Sequence, residues 1–110
     1  MINKMKLSKI LELFKEESCD NEIEYELIKT ECPDNTLFWS FTICYYTNKW
    51  SIAHGHPNVL EIVIDNDKKV MGIEFESGGD RCSKTPAWKS VCKCVADDLV
   101  FEIDLKEEEL

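Results

Sequence analysis

Apolar and polar positions along this 110-residue chain change period several times, and each period predicts an element. From residue 5 to 17, Met5, Leu7, Ile10, Leu11, Leu13 and Phe14 recur at spacings of three and four, with Lys9, Glu12 and Glu16 on the other side. That pattern predicts an amphipathic helix, which the segment SCDNE, residues 18–22, ends. EIEYELI, residues 22–28, then alternates, with Ile23, Tyr25 and Leu27 on one face and Glu22, Glu24 and Glu26 on the other. It reads as a half-buried strand with an acidic outer row.

ECPDN, residues 31–35, is a turn signal, with Pro33 and Asp34 suited to its centre. The aromatic, β-branched stretch 36–46 follows as a strand. Leu37, Trp39, Phe41, Ile43 and Tyr45 line one face, and Phe38, Ser40, Thr42, Cys44 and Tyr46 line the other. Bulk on both faces predicts a central strand covered on both sides. Thr47 to Lys49 turn the chain, and Trp50 to His54 reads as a return strand.

Two apolar runs around DNDKK, residues 65–69, predict a hairpin. With its turn centred between Asp67 and Lys68, Ile64 faces Met71, Ile62 faces Ile73 and Leu60 faces Phe75. The opposite face then sets Glu61 against Glu74 and Val59 against Glu76. Gly78 and Gly79 close the unit. Thr85 as a cap, Pro86 at the first helical position, and Trp88, Val91, Cys92 and Val95 at helical spacing predict a helix over 85–96. A final strand over 99–105 turns Leu99, Phe101, Ile103 and Leu105 inward, and the tail 106–110 is expected to fray. The order α-β-β-β-β-β-α-β predicts one α+β domain: a single layer of two helices packed on a mostly antiparallel sheet of about five or six strands.

Composition supports a globular chain, since 44 % of residues are hydrophobic. No apolar run approaches the roughly 20 residues that cross a bilayer. Glu12, Glu16 and Glu17 fall where a secretory signal would be uninterruptedly apolar, so a cytoplasmic location is expected. In that compartment Cys19, Cys32, Cys44, Cys82, Cys92 and Cys94 are expected to be reduced, with Cys44 and Cys92 packing as small hydrophobes.

Charge changes the functional picture most. Twenty-two acids against thirteen bases give a formal net charge of −9. Such a chain repels nucleic acid and anionic membranes and attracts basic proteins, although solubility alone also favours acidic surfaces. The hairpin's Glu61–Glu74 pairing is informative because like charges directly across a sheet are unfavourable. Either the acids form a solvated, edge-protecting face, or they are held ready for a basic partner. The second reading assigns partner binding to Glu61, Glu74, Glu76, Asp65, Asp67 and Glu24, with Tyr46 and Trp50 as aromatic anchors.

Catalytic signals are sparse. The only histidines, His54 and His56, form HGH, which the strand pattern makes a corner, with Gly55 and Pro57 bending the chain. No CxxC, GxSxG, HExxH or EF-hand spacing is present, and GGDR, residues 78–81, has too few glycines for a phosphate loop. Cys92 and Cys94 would diverge on a helix, and would share a face, favouring metal, only if 85–96 were a strand. No catalytic, metal or cofactor set is therefore expected, and the chain reads as a non-enzymatic binding protein. A small acidic α+β domain of this kind resembles, as a class, the immunity and inhibitor proteins that neutralise toxin nucleases. That resemblance implies a basic toxin domain as partner. Two alternatives are a nucleic-acid mimic that inhibits a DNA-binding defence enzyme, and a small metal- or His/Cys-dependent enzyme built around His54 and His56.

Overall fold

The aromatic stretch forms the centre of the main sheet. A computed structural model describes residues 4–76 and 85–109. Chain order is β1 (Lys4–Lys6), α1 (Leu7–Glu17), β2 (Glu24–Glu31), β3 (Leu37–Tyr45), α2 (Lys49–His54), β4 (Asn58–Ile64), β5 (Val70–Glu76), α3 (Pro86–Ala96), β6 (Val100–Glu102) and β7 (Glu108–Glu109). Strands β5-β4-β3-β2 form an antiparallel meander, and β7 lies parallel to β2 at its far edge. A separate two-stranded parallel sheet pairs β1 with β6.

One face of the meander carries the core. Trp39, Phe41, Ile43 and Tyr45 of β3, Leu27 of β2, and Leu60, Ile62 and Ile64 of β4 are buried, with Ile73 and Phe75 of β5 packed against them. Alternation along each strand sends these residues inward together. Helix α1 covers them with Leu7, Ile10 and Phe14, and α3 with Ala87, Val91 and Cys94. Phe14 meets Tyr45 at 5.4 Å between ring centres, and Trp88 of α3 meets Phe75 at 5.1 Å.

Several expectations need correction. The fold has three helices and two separate sheets, not a single layer of two helices on one sheet of five or six strands. The expected return strand at Trp50–His54 is helix α2. Asn48 caps it by accepting from Ser51 N at 2.8 Å, and Gly55 ends it in the left-handed region at φ 67°. A polar cap before the segment and a glycine after it decide for helix over the weak alternation between them. The expected final strand is ordered as β6 only over Val100–Glu102. Phe101 is buried there, and Leu99, Ile103 and Leu105 are partly buried against the core. The first helix begins two residues later than its apolar pattern, because Lys4–Lys6 extend to pair with β6.

Within the hairpin, Val59–Glu76, Leu60–Phe75, Glu61–Glu74 and Ile62–Ile73 pair as the pattern requires. Ile64, however, pairs with Val70, because a bulge at Val63/Ile64 shifts the register and leaves Met71 exposed. Asp65 shapes the turn, its Oδ1 accepting from Asp67 N at 2.8 Å and Lys69 N at 3.0 Å. On α3 the buried stripe runs through Cys94, and Cys92 is exposed. The tail, expected to fray, instead sets Glu108 and Glu109 beside Ile28 and Lys29. Glu107 accepts from the buried Trp39 indole N–H at 2.7 Å. The glycine closure at 78–79, the GGDR loop and Cys82 lie outside the described residues.

Two helices borrow their N-terminal caps from distant carboxylates. Asp104 accepts from Ser8 N at 3.0 Å and from the Ser8 hydroxyl, closing the first turn of α1. Glu17, at the end of α1, accepts from Ala87 N at 3.1 Å at the start of α3, where Thr85 also caps. Each satisfies an amide that the helix leaves without an internal partner.

Partial burial pushes the Asp104 carboxyl upward, but the Ser8 hydroxyl and amide outweigh it and hold the group below the usual aspartate value. The cap therefore stabilises fully above the ordinary aspartate range and is lost as pH falls through the lowered folded value. Asp104→Ala is expected to cost about 1 kcal/mol in urea unfolding at pH 7. The difference from wild type should shrink steadily as the pH drops below about 4. An Asp104→Ala protein as stable as wild type at pH 7 would show that α1 does not depend on this cap.

Candidate acidic interface

The second face of the meander has neither α1 nor α3 against it, and its residues fall into register rows. Glu24 pairs with Cys44, Cys44 with Val59, and Val59 with Glu76. In the next row Glu26 pairs with Thr42, Thr42 with Glu61, and Glu61 with Glu74. A third row runs Ile28, Ser40, Val63 and Gly72. Both acidic rows thus begin and end on glutamate, with Cys44 and Val59 between in the first and Thr42 and a third glutamate, Glu61, between in the second. At a strand spacing of about 4.8 Å, the β2 and β5 carboxylate banks stand roughly 14 Å apart.

None of the outward positions in these three rows is Lys or Arg. Within the face, the Ser40 hydroxyl donates to Glu61 Oε2 at 3.0 Å. An open trough of about 630 Å³ lies over the β4–β5 side, lined among the described residues by Thr42, Val59, Glu61, Glu74, Phe75 and Glu76. Cys44, half-buried between Glu24 and Val59, has its thiol pushed up by burial and then by the Glu24 charge. It is a protonated thiol at neutral pH and a poor nucleophile. The strand pattern's expectation of cover on both sides of β3 is not met on this face by either helix.

The sequence-derived partner residues divide between this face and its ends. Glu24, Glu61, Glu74 and Glu76 share it. Tyr46 lies just past β3 at the same end as Glu24 and Glu76, where a cleft of about 110 Å³ is lined by Asp20, Glu22, Ile23, Glu24, Cys44, Tyr45 and Tyr46. Trp50, 52 % exposed, stands on α2, which joins β3 to β4 at that end. Asp65 does not belong to the surface in the expected way, since its carboxylate is committed to the hairpin turn. Asp67 is exposed in that turn, at the opposite end of β4 from α2.

Two contributors are not among the residues that the sequence assigns to partner binding, although alternation already places Glu26 in the acidic outer row of its strand. Glu26 enters the second row only through the β2–β3 register, which alternation within one strand cannot supply. Asp20 joins the Glu24 end through a local turn. The Ser18 hydroxyl and then the Glu22 amide hold its carboxyl below the usual range, so it remains charged. The motif SxD before a strand was the available signal.

Among the described residues, no group of three or more His, Cys, Asp and Glu is set to hold a metal ion. The described cysteines, Cys19, Cys32, Cys44, Cys92 and Cys94, are unpaired. No described helix is long and apolar enough to cross a membrane.

Glu61 and Glu74 stand directly opposite with like charge, which costs a few tenths of a kcal/mol in a sheet pair. Converting one member, Glu74→Lys, is expected to raise the melting temperature by one to a few degrees, as about 0.5 kcal/mol would. A lowered melting temperature would mean that the pairing is not strained in the free protein. Comparison of the chain with family models, with curated proteins and with solved structures finds no match, so the residues and geometry alone carry its functional reading.

Proposed function

We propose that this protein is a small acidic binding protein that inhibits a basic partner by laying its open sheet face over it, without chemistry of its own. One observation carries the reading. Five glutamates, Glu24, Glu26, Glu61, Glu74 and Glu76, occupy two banks on one face whose register rows contain no cation. A fold selected for stability alone would place lysine or threonine opposite Glu74, where Glu61 stands instead. A surface with a desolvating cationic partner gains from carboxylates that no cation in their register rows neutralises.

A toxin nuclease domain is the partner class that fits best. Sites that hold phosphate are rich in Arg and Lys, and an anionic plug can occupy or shield them. The middle strand of the face offers Ser40, Thr42 and Cys44, side chains small enough to admit close approach between the banks. Tyr46 and Trp50 at one end supply aromatic surface of the kind that anchors interfaces. An action on such a toxin within the cytoplasm belongs to the same proposal.

The nucleic-acid mimic receives less support. It needs carboxylates following one another as phosphates do, whereas β3 separates the β2 bank from the β4–β5 bank. The reading is tested by co-expressing the protein with a basic nuclease domain encoded beside its gene, scoring protection and measuring association of the purified pair. Protection with a saturable complex is expected. A neighbouring nuclease that neither binds nor is restrained would remove this function.

Electrostatic steering acts mainly on association. Raising salt from about 50 to 500 mM should slow complex formation by roughly tenfold or more, with dissociation changing less. Glu61→Lys combined with Glu74→Lys should slow association at low salt while leaving the fold intact, since both side chains point away from the core. Stopped-flow rates equal to wild type at 50 mM salt would place the contact surface elsewhere.

A further inference from the structure

The two histidines form a second arrangement that the acidic face does not use. On α2 the Trp50 and His54 rings lie 4.3 Å apart between centres and 23° from parallel, and the Trp50 and His56 rings 5.6 Å apart and 27° from parallel. The imidazoles themselves are 6° from parallel with centres 6.4 Å apart. Two rings sandwiching an indole would be separated by at least two contact distances, roughly 7 Å. The 6.4 Å between the imidazole centres is too short for that, so the indole does not separate the two imidazoles. All three residues are exposed.

The local backbone sets this pairing. His54 is the last residue of α2, and Gly55 follows at φ 67° with nothing within 4 Å of the position a Cβ would take. The left-handed residue turns His56 back beside His54, and His56 N donates to Ser51 O at 2.9 Å. His54 Nδ1 lies 2.8 Å from Trp50 O. A carbonyl only accepts, so Nδ1 donates, and in the neutral ring Nε2 is the nitrogen left with a lone pair. That is the arrangement by which a backbone carbonyl orients a metal-binding imidazole.

We propose that His54 and His56 together bind one divalent transition-metal cation of the nickel, copper or zinc class, with water filling its remaining positions. Metal–nitrogen distances of about 2.0–2.1 Å place the ring centres of two imidazoles on one ion roughly 4.5 to 6.5 Å apart, depending on the bond angle. The observed 6.4 Å is at the wide end of that range, which suits opposed ligands in a tetragonal field and favours nickel and copper over tetrahedral zinc. His56 is held through its backbone, leaving its ring to adjust. The chain's net charge of −9 raises the local concentration of cations, and Lys49, on the first turn of α2, is the nearby opposing charge in sequence. No third protein ligand is required. The site is an exposed two-imidazole site, weaker than a closed structural one.

Trp50 provides the readout, because an open-shell ion bound to rings stacked on an indole quenches its emission. Nickel chloride titrated into the purified, untagged protein at neutral pH should quench tryptophan emission saturably, with calorimetry giving one ion per chain. His54→Ala and His56→Ala should each weaken binding about tenfold or more. Their combination should abolish it, while the melting temperature in the absence of metal stays unchanged. Trp50→Phe should remove most of the quenching yet retain the calorimetric binding. Absence of saturable binding, or binding that survives loss of both histidines, would overturn the site. Since the titration involves the metal alone, neither result bears on the basic-partner reading.

Discussion

Packing of one row of side chains, Trp39, Phe41, Ile43 and Tyr45, beneath α1 and α3 is the constraint to which the rest of the molecule refers. These residues alternate along the central strand, so fixing them inward fixes Phe38, Ser40, Thr42 and Cys44 outward. Register then propagates the choice through β2, β4 and β5. The borrowed caps serve the same packing. Asp104 and Glu17 complete the starts of the two covering helices, and the Glu107 carboxylate satisfies the indole N–H of Trp39 within the row. Lys68 places its ammonium 4.2 Å from the same indole ring, tying the hairpin turn to that row.

An antiparallel sheet packed on one side has a second side whose composition is free of core demands. Here that side is not the mixed polar surface that solubility would give. Its acids stand on β2, β4 and β5, its middle strand presents Ser40, Thr42 and Cys44 between them, and its directly opposed acidic pair repels. The like-charge cost is small beside the stability of a domain, so it can persist where a partner compensates it. Asymmetry between the two faces is the physical basis for reading the outer one as an interface.

Much of this was legible from periodicity. Alternation identifies the inner row of β3, and the hairpin register through Ile62–Ile73 puts Glu61 opposite Glu74. Thr85 and Pro86 marked the start of α3 because a cap and a pre-set φ are local chemistry. What sequence missed was non-local or short. The three-residue pairing of β1 with β6 joins segments nearly a hundred residues apart, and neither is long enough to show a period. Helix α2 carried its signal in Asn48 and Gly55 rather than in the apolar pattern between them. The bulge at Val63/Ile64 moved Met71 outward, a slip that alternation alone cannot anticipate. The face itself depended on strand order, which brought Glu24 and Glu26 onto the side that holds Glu61, Glu74 and Glu76.

The central claim, that this face is open and strongly anionic, can be measured without a partner by comparing cationic and anionic soluble nitroxides in methyl NMR at low salt. The cationic probe should broaden Val59, Val63, Ile28 and Thr42 far more than the anionic one, while Leu60, Ile62 and Ile43 on the packed side are spared by both. Equal broadening by the two probes, or protection of Val59 and Thr42 from each, would contradict the account by showing the face to be uncharged in effect or covered.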